Sequence, residues 1–275
     1  MIQRARAWLS RELARTLGTL ASLSPRVGFF ACDLLAKLWA LTSRRPIRAS
    51  VRSFFPELST HEVDRVYRRF WSNHARTLLL GGWFRRERLA VLRRLVHENE
   101  ALRTLRAPMI LGTFHVGPTV GLGVVPERVQ DEVLVLRGTQ FPLDRNKAAR
   151  GNVKIVQGTD QQRAATFHQA IERLRANGFI LMALDPGEAQ RIAVPFFGRT
   201  LQLARGPFAM ARVARVPIVP IVAKWDGDAI ELIVGDPLPL IQDERSLATA
   251  AAQWLERYLR QNPGELSYRV FELLD

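Results

Sequence analysis

Apolar residues in the second half of the chain fall in short runs that alternate with amphipathic stretches. The apolar runs have the length of buried strands and predict them near 108–114, 132–137, 153–156, 179–184, 217–223 and 229–234. The amphipathic stretches predict helices near 118–125, 160–176, 203–214 and 246–261. Strands that alternate with helices are typical of an α/β fold, so we expect a mixed, mostly parallel sheet flanked by helices.

The first 45 residues have a different pattern. Apolar side chains recur there at helical spacing among arginines, beginning with Trp8, Leu9, Leu13, Leu17 and Leu20. A second apolar stretch, 27–41, contains Asp33 and Lys37 and is shorter than the roughly 20 apolar residues that a membrane span needs. We therefore predict basic amphipathic N-terminal helices over 1–45, which either lie on a membrane surface or pack on the core. The α/β domain is predicted over 46–275.

The charge balance predicts an anionic partner. The net charge is +14, and only four of the 40 basic residues are lysines. Arginine binds phosphates and carboxylates through a planar fork, so phospholipid, an acidic carrier protein, a phosphorylated substrate and nucleic acid all fit. A motif of interleaved aromatic and basic residues is lacking, so we expect no nucleic-acid partner. The single cysteine excludes an intrachain disulfide, and no cleavable signal sequence is expected.

His115 is the most informative single residue. The apolar run 109–114 ends at this histidine, and Pro118 follows where the first turn of a helix accepts proline. We expect His115 beside a helix N-terminus, whose dipole would lower the pKa of the imidazole and suit it to act as a neutral base. The alternative is a histidine that merely ends a core strand.

Asp185 is the second candidate, because it ends the apolar run 179–184. A carboxylate at the end of a buried strand faces the functional edge of an α/β sheet. The alternative is a turn made with Pro186 and Gly187. No Walker loop, Gly-x-Ser-x-Gly elbow or His-Glu-x-x-His helix is present, which disfavours nucleotide, serine-hydrolase and metal sites.

Several blocks, in this order and spacing, together resemble one family. They are Leu111-Gly112-Thr113-Phe114-His115-Val116-Gly117, Arg137 after a strand, Asp185, Pro195-Phe196-Phe197-Gly198 with Gly206, Val216-Pro217-Ile218-Val219-Pro220, and the C-terminal Asn262-Pro263-Gly264-Glu265-Leu266-Ser267-Tyr268-Arg269. The chain resembles the lysophospholipid-acyltransferase-like superfamily, specifically its bacterial lipid A late-acyltransferase branch of lauroyl and myristoyl transferases, over roughly 45–275.

The resemblance implies an enzyme that moves a fatty acyl group from an acyl carrier protein or acyl-CoA to a hydroxyl or amine. The acceptor would be a lipid, a glycolipid or a specialised small molecule. His115 would be the base, and backbone N–H groups near Gly117 or an arginine would stabilise the oxyanion. The implied substrate-binding residues are Arg137, Gly117, Phe197, Gly198 and Arg199. No metal or cofactor is implied beyond the thioester co-substrate. The resemblance implies a bacterial protein that is peripheral on the cytoplasmic face of the inner membrane, or cytoplasmic.

One position departs from the family pattern. The family has Asp or Glu five residues after the histidine, where this chain has Val120. That acid orients the imidazole, and loss of such a carboxylate costs about 10⁴ in rate in serine proteases. We expect Asp185, or less favourably Glu127, to replace it as the second catalytic residue. The alternative is a catalytically lapsed relative that binds a lipid or an acyl carrier.

Overall fold

A computed structural model describes residues 24–42, 44–85, 89–129, 132–137, 153–157, 163–185, 190–240 and 243–274. The helices are α1 (Pro25–Thr42), α2 (Arg44–Phe54), α3 (Thr60–Arg85), α4 (Leu89–Leu95), α5 (Glu100–Thr104), α6 (Val125–Arg128), α7 (Arg163–Arg175), α8 (Arg205–Ala214), α9 (Glu244–Gln261) and α10 (Tyr268–Glu272). The strands are β1 (Met109–Thr113), β2 (Val133–Arg137), β3 (Val153–Gln157), β4 (Phe179–Ala183), β5 (Arg191–Phe196), β6 (Arg199–Ala204), β7 (Ile218–Asp226) and β8 (Ala229–Val234).

Six strands form the main sheet, in the order β3-β2-β4-β1-β7-β8. All neighbours run parallel except β7 and β8, which are antiparallel. The predicted α/β fold with a mixed, mostly parallel sheet is therefore confirmed, and every predicted strand is present. The central strand β1 is buried along its whole length, because helices cover both faces of a parallel sheet.

The core lies on both faces of this sheet. Successive side chains of a strand point to opposite faces, and Ile110 and Leu111 accordingly belong to two different hydrophobic clusters. Helices α8 and α9 contribute to the cluster of Ile110, and residues of α4 and α5 contribute to the cluster of Leu111. Packing on both faces of the sheet holds β1 and β4 in place. The candidate site residues follow directly after the ends of these two strands.

The helix predicted over 118–125 is wrong in kind. Thr119–Val124 forms a 3₁₀ turn, and only the four residues of α6 continue it as an α-helix. Gly121 and Gly123 lower helix propensity, and tertiary packing sets the turn: a side chain at Gly121 would meet Ile230 of β8. Strands β5 and β6, which are not among the predicted strands, form a separate two-stranded sheet around Phe196.

Residues 1–23 lie outside the described part of the chain, so the first predicted amphipathic helix stays a prediction. The second apolar stretch forms α1, and its Phe29 and Cys32 are buried in the core. The opposite side of α1 exposes large apolar side chains, namely Val27, Phe30, Leu34 and Leu38. The division at residue 45 also stays a prediction, and α2 runs across it. None of the helices within the described ranges has the length and apolar content to cross a membrane.

Candidate active site

The sheet register brings His115 and Asp185 together. Strands β1 and β4 are parallel neighbours, with Thr113 opposite Ala183. Each candidate follows two residues after that pair, so both lie at the same carboxyl edge. A backbone hydrogen bond from the Leu184 N–H to the Thr113 carbonyl, 2.7 Å, extends the ladder to the site.

The Asp185 carboxylate binds His115 at two points. Oδ1 lies 2.9 Å from His115 Nδ1, and Oδ2 accepts the backbone N–H of His115 at 2.7 Å. Asp185 is 2% exposed, whereas the His115 side chain is 42% exposed. The carboxylate fixes Nδ1 as the protonated nitrogen of the neutral ring, which leaves Nε2 as the proton acceptor. The contact required by the sequence argument is therefore present, and the catalytic roles of the two residues stay a prediction.

The expected lowering of the His115 pKa is wrong. Burial does disfavour the imidazolium, but the charge and hydrogen bond of Asp185 outweigh it, so the pKa of His115 lies above its ordinary value. The α-helix whose dipole was expected to lower this pKa is absent, because a short 3₁₀ turn forms at that position. Arg269 is a cation close enough to oppose protonation of His115, and it is paired with Glu272 at 2.8 Å.

Gly117 has a structural role at the start of the turn. Its φ is +60°, and a side chain there would clash with the Ala223 carbonyl oxygen at 2.1 Å. Its N–H donates to the Glu265 carbonyl at 2.9 Å. That N–H is therefore already used within the protein, and the expectation that it stabilises an oxyanion is not supported in this conformation.

The C-terminal segment 263–267 packs against the loop that carries His115. The Ser267 hydroxyl donates to the His115 carbonyl, and the Gly117 bond described above joins the same two segments. Asn73 of α3 anchors the segment from the other side, donating to the Gly264 carbonyl at 2.7 Å. The loop of the candidate base is thus held by its carbonyl as well as by its ring.

Glu265 is a buried carboxylate beside this loop, only 1% exposed. Its contacts are long: 3.3 Å from Asn73 Nδ2, 3.4 Å from the Trp225 N–H and 3.5 Å from Arg69 Nη2. Burial raises the pKa of Glu265 to about 7, and these three groups only partly oppose the effect. Glu265 therefore changes charge near neutral pH behind the His115 loop.

Val120 and Glu127 provide no carboxylate for His115. Val120 packs against the hydrophobic cluster that includes Leu122. Glu127 forms a bidentate pair with Arg93 of α4, with both distances 2.7 Å. Of the two expected replacements for the missing acid, only Asp185 contacts His115.

The other predicted substrate-binding residues lie elsewhere. Phe197 and Gly198 have φ of +47° and +70° and form the two-residue turn between β5 and β6, as type I′ hairpins require. Phe197 is buried among aromatic side chains, and its N–H donates to Glu256 at 2.8 Å. The Arg199 guanidinium lies over the Phe54 ring at 5.8 Å.

This turn lies at the far end of the hairpin from the candidate site. The near end is marked by the Ala204 N–H, which donates to the Leu184 carbonyl at 2.9 Å. A strand rises about 3.3 Å per residue, so the turn is about 17 Å along β6 from Ala204. Arg137 ends β2, at the same sheet edge as Asp185, and its side chain lies outside the described residues. Substrate-binding roles for all these residues stay a prediction.

Three residues of the site were not singled out by sequence reasoning: Glu265, Ser267 and Arg269. The signal that could have found them is their position in the C-terminal block that carries the family resemblance. Within the part of the chain described by the structure, no group of three or more His, Cys, Asp or Glu side chains could hold a metal ion.

Comparison with protein families gives a match to bacterial lipid A biosynthesis acyltransferases over residues 146–268. The matched segment includes Asp185, Glu265 and Ser267, and it begins after His115. No curated protein matches the chain significantly. The match and the fold agree with the resemblance drawn from the sequence blocks.

Proposed function

Because residues 146–268 match the bacterial lipid A biosynthesis acyltransferases, we propose that this chain transfers a fatty acyl group from a thioester to a hydroxyl or amine, with His115 as the general base. The family match supports acyltransferase activity in general. The observation that carries the catalytic assignment is the bidentate contact of Asp185 with the ring and backbone N–H of His115. Geometry of this kind orients an imidazole and stabilises it once protonated.

The proposed reaction uses Nε2 of His115. It takes the proton of the acceptor hydroxyl or amine while the acceptor oxygen or nitrogen attacks the thioester carbonyl. The tetrahedral intermediate then expels the thiolate, the new ester or amide forms, and the imidazolium returns its proton to sulfur. Asp185 balances the imidazolium charge throughout. Arg269, whose charge acts on His115, is the arginine that we propose for the oxyanion.

The proposed co-substrate is acyl carrier protein or acyl-CoA. Both donors are anionic, which fits a chain of net charge +14. A resident metal or cofactor is not required by the proposal, because a thioester is already activated and the histidine manages the proton. The acceptor is proposed as a lipid, glycolipid or related small molecule, with lipid A precursors as the first to test.

We also propose that the protein works at an anionic membrane surface. The exposed apolar side of α1 and the excess of arginine support this placement. Peripheral attachment on the cytoplasmic side would bring the site to both a soluble donor and a lipid acceptor.

The second candidate function is a binding protein without turnover. The observation that favours it is Val120, a partly buried side chain that packs against the core at the position where the family has an acid. In that case the chain would hold an acyl chain or carrier but leave the thioester intact.

Substitution of the base tests these two functions. The assay follows thiol release from lauroyl-acyl carrier protein and lauroyl-CoA, with lipid A precursors as acceptors, and mass spectrometry identifies the product. We expect His115→Ala to lower kcat by about 10²–10⁴-fold, as general-base catalysis requires. The control is His168→Ala on α7, an exposed histidine paired with Glu172. Wild-type turnover would exclude the binding protein, and activity of His115→Ala within about tenfold of wild type would contradict the base assignment.

A further inference from the structure

A pocket of about 330 Å³ lies where strand β5, α8 and α9 meet. It is formed by strand β5, one side of α8 and the start of α9, and it is lined by Ile192, Arg205, Arg212, Asp243, Glu244 and Arg245. These residues come from three separate segments of the chain. The predicted substrate-binding residues are not among them.

The backbone places this pocket at the carboxyl edge of the sheet. The Ala204 N–H binds the Leu184 carbonyl, so Arg205 and Asp185 each follow directly after one member of a hydrogen-bonded pair. The Arg205 N–H in turn binds the Gln190 carbonyl at 3.0 Å. Hydrogen-bonded neighbouring backbone segments are about 5 Å apart, so the start of α8 adjoins Asp185, the residue that orients His115.

One buried carboxylate organises two of the arginines. Glu244, whose side chain is 12% exposed, binds Arg205 Nε at 2.5 Å and Arg212 Nη2 at 2.9 Å. Gln190 holds the Arg205 guanidinium from the other side at 2.8 Å. Each guanidinium has five N–H donors, so both arginines keep donors for a further ligand. Their side chains are about half exposed, which leaves them accessible.

The pocket has an excess of positive charge. Three guanidinium groups face two carboxylates, and Asp243 is engaged as the cap of α9 through the Ser246 N–H and hydroxyl, both at 2.7 Å. Oriented guanidinium groups bind phosphate through paired charge-assisted hydrogen bonds. The volume exceeds that of one phosphate and leaves room for part of the group that it esterifies.

We propose that this pocket binds a phosphate ester of a substrate, with Arg212 and Arg245 as the principal ligands. A phosphate bound here would hold one end of its substrate near the start of α8, whose backbone adjoins the strand end that carries Asp185. The identity of the ester rests on the proposed function: a phosphopantetheine arm would come from the donor, and a sugar phosphate from the acceptor. The phosphate chemistry is the same for both.

Calorimetric titration of the full chain at low salt tests the site. The probes are 4′-phosphopantetheine and glucosamine 1-phosphate, each compared with its unphosphorylated form. We expect the phosphorylated probes alone to bind, and the tighter of the two identifies the source. Arg212→Gln and Arg245→Gln should each weaken binding about tenfold, corresponding to one lost charge-assisted contact of about 1.4 kcal/mol.

Two comparisons make the result decisive. Arg103→Gln, at an exposed arginine of α5 that pairs with Glu98, removes an equal charge outside the pocket and should bind like wild type. Arg245→Gln breaks none of the Glu244 pairs, so it tests the site without disturbing them. The proposal is overturned if neither phosphorylated probe binds, or if Arg103→Gln weakens binding while the pocket variants do not.

The titration needs no turnover, so its result is separate from the test of acyl transfer. Binding that depends on Arg212 and Arg245 in a chain without acyl transfer would refute the proposed function and support the pocket. Acyl transfer without such binding would refute the pocket alone.

Discussion

The chemistry of His115 depends on one carboxylate that reaches it from a neighbouring strand. Asp185 is buried, so its charge acts on the imidazole with little screening by solvent. It offers one oxygen to the ring and one to the backbone N–H. The same contact therefore sets the tautomer, the orientation and the pKa of the ring, and a single substitution alters all three.

Asp185→Asn should lower both activity and the pKa of His115. Burial and the Arg269 charge disfavour the imidazolium, and only Asp185 opposes them. Without its negative charge the acid limb of the kcat/KM profile should move to lower pH, because that limb reports deprotonation of the base. We expect a loss in kcat/KM of about 10²–10⁴-fold. Rates across pH and NMR titration of the His115 ring are the measurements.

The matched control is Asp226→Asn. Asp226 lies 3.7 Å from His97, and both side chains are exposed. The substitution therefore removes a carboxylate beside a different histidine. An unshifted acid limb in Asp185→Asn, or an equal change in Asp226→Asn, would argue against Asp185 as the residue that tunes the base.

At the scale of elements, the C-terminal segment completes the site. It connects α9 to α10 and packs between α3 and the His115 loop through contacts of Gly264, Glu265 and Ser267. Glu265 is the unfavourable member of this arrangement, because its buried carboxylate receives only long hydrogen bonds. A buried charge without close partners reduces stability.

Glu265→Gln should stabilise the protein at alkaline pH. The folded pKa of about 7 lies above the ordinary value of 4.5, so the folded state holds the proton more tightly than the unfolded state. Stability from this residue is present below pH 4.5 and is lost as the pH rises towards 7. The neutral glutamine avoids that loss, which amounts to about 3 kcal/mol at most. Urea unfolding at several pH values measures the difference between variant and wild type.

The direction in which the stability difference changes with pH tests the raised pKa of Glu265. The stability advantage of Glu265→Gln should grow from pH 4.5 to 7 and then stay constant. Glu57→Gln, which removes an exposed carboxylate paired with Arg260, controls for the loss of one surface charge. A Glu265→Gln advantage that is absent above pH 7, or that shrinks as the pH rises, would contradict the raised pKa.

The sequence predicted the strands well because buried parallel strands are continuous apolar runs. It also predicted that His115 and Asp185 share a sheet edge, since both follow such runs. It could not predict that β1 and β4 are neighbours in register, which depends on packing of the whole sheet. The sequence also could not predict the contacts of the C-terminal segment. Ser267 and His115 are 152 residues apart, and the local spacing of apolar residues does not indicate a contact between them.

At the scale of the whole molecule, charge and exposed apolar surface coincide at the N-terminal side. Helix α1 has two apolar sides, and only one of them is needed for the core. Phe30 is 74% exposed and Leu34 is 53% exposed, one helical turn apart. Arg26 and Lys37 on the same helix are also exposed. Such a surface suits the interface of an anionic bilayer, where apolar side chains enter and cations remain at the headgroups.

Vesicle binding tests this surface directly. We expect the protein to sediment with vesicles that contain phosphatidylglycerol more than with pure phosphatidylcholine, and less as salt rises, because the charge attraction is screened. The double variant Phe30→Ser with Leu34→Ser should weaken binding at least tenfold, since each side chain is worth roughly 1.5–3 kcal/mol when fully buried. Leu240→Ser, at a side chain 70% exposed in another part of the surface, should bind like wild type.

Equal binding of the double variant and wild type would place the membrane contact elsewhere, whereas salt-insensitive binding would remove the role of charge. Circular dichroism excludes unfolding as the cause, because both substituted side chains are exposed and the core side of α1 is unchanged.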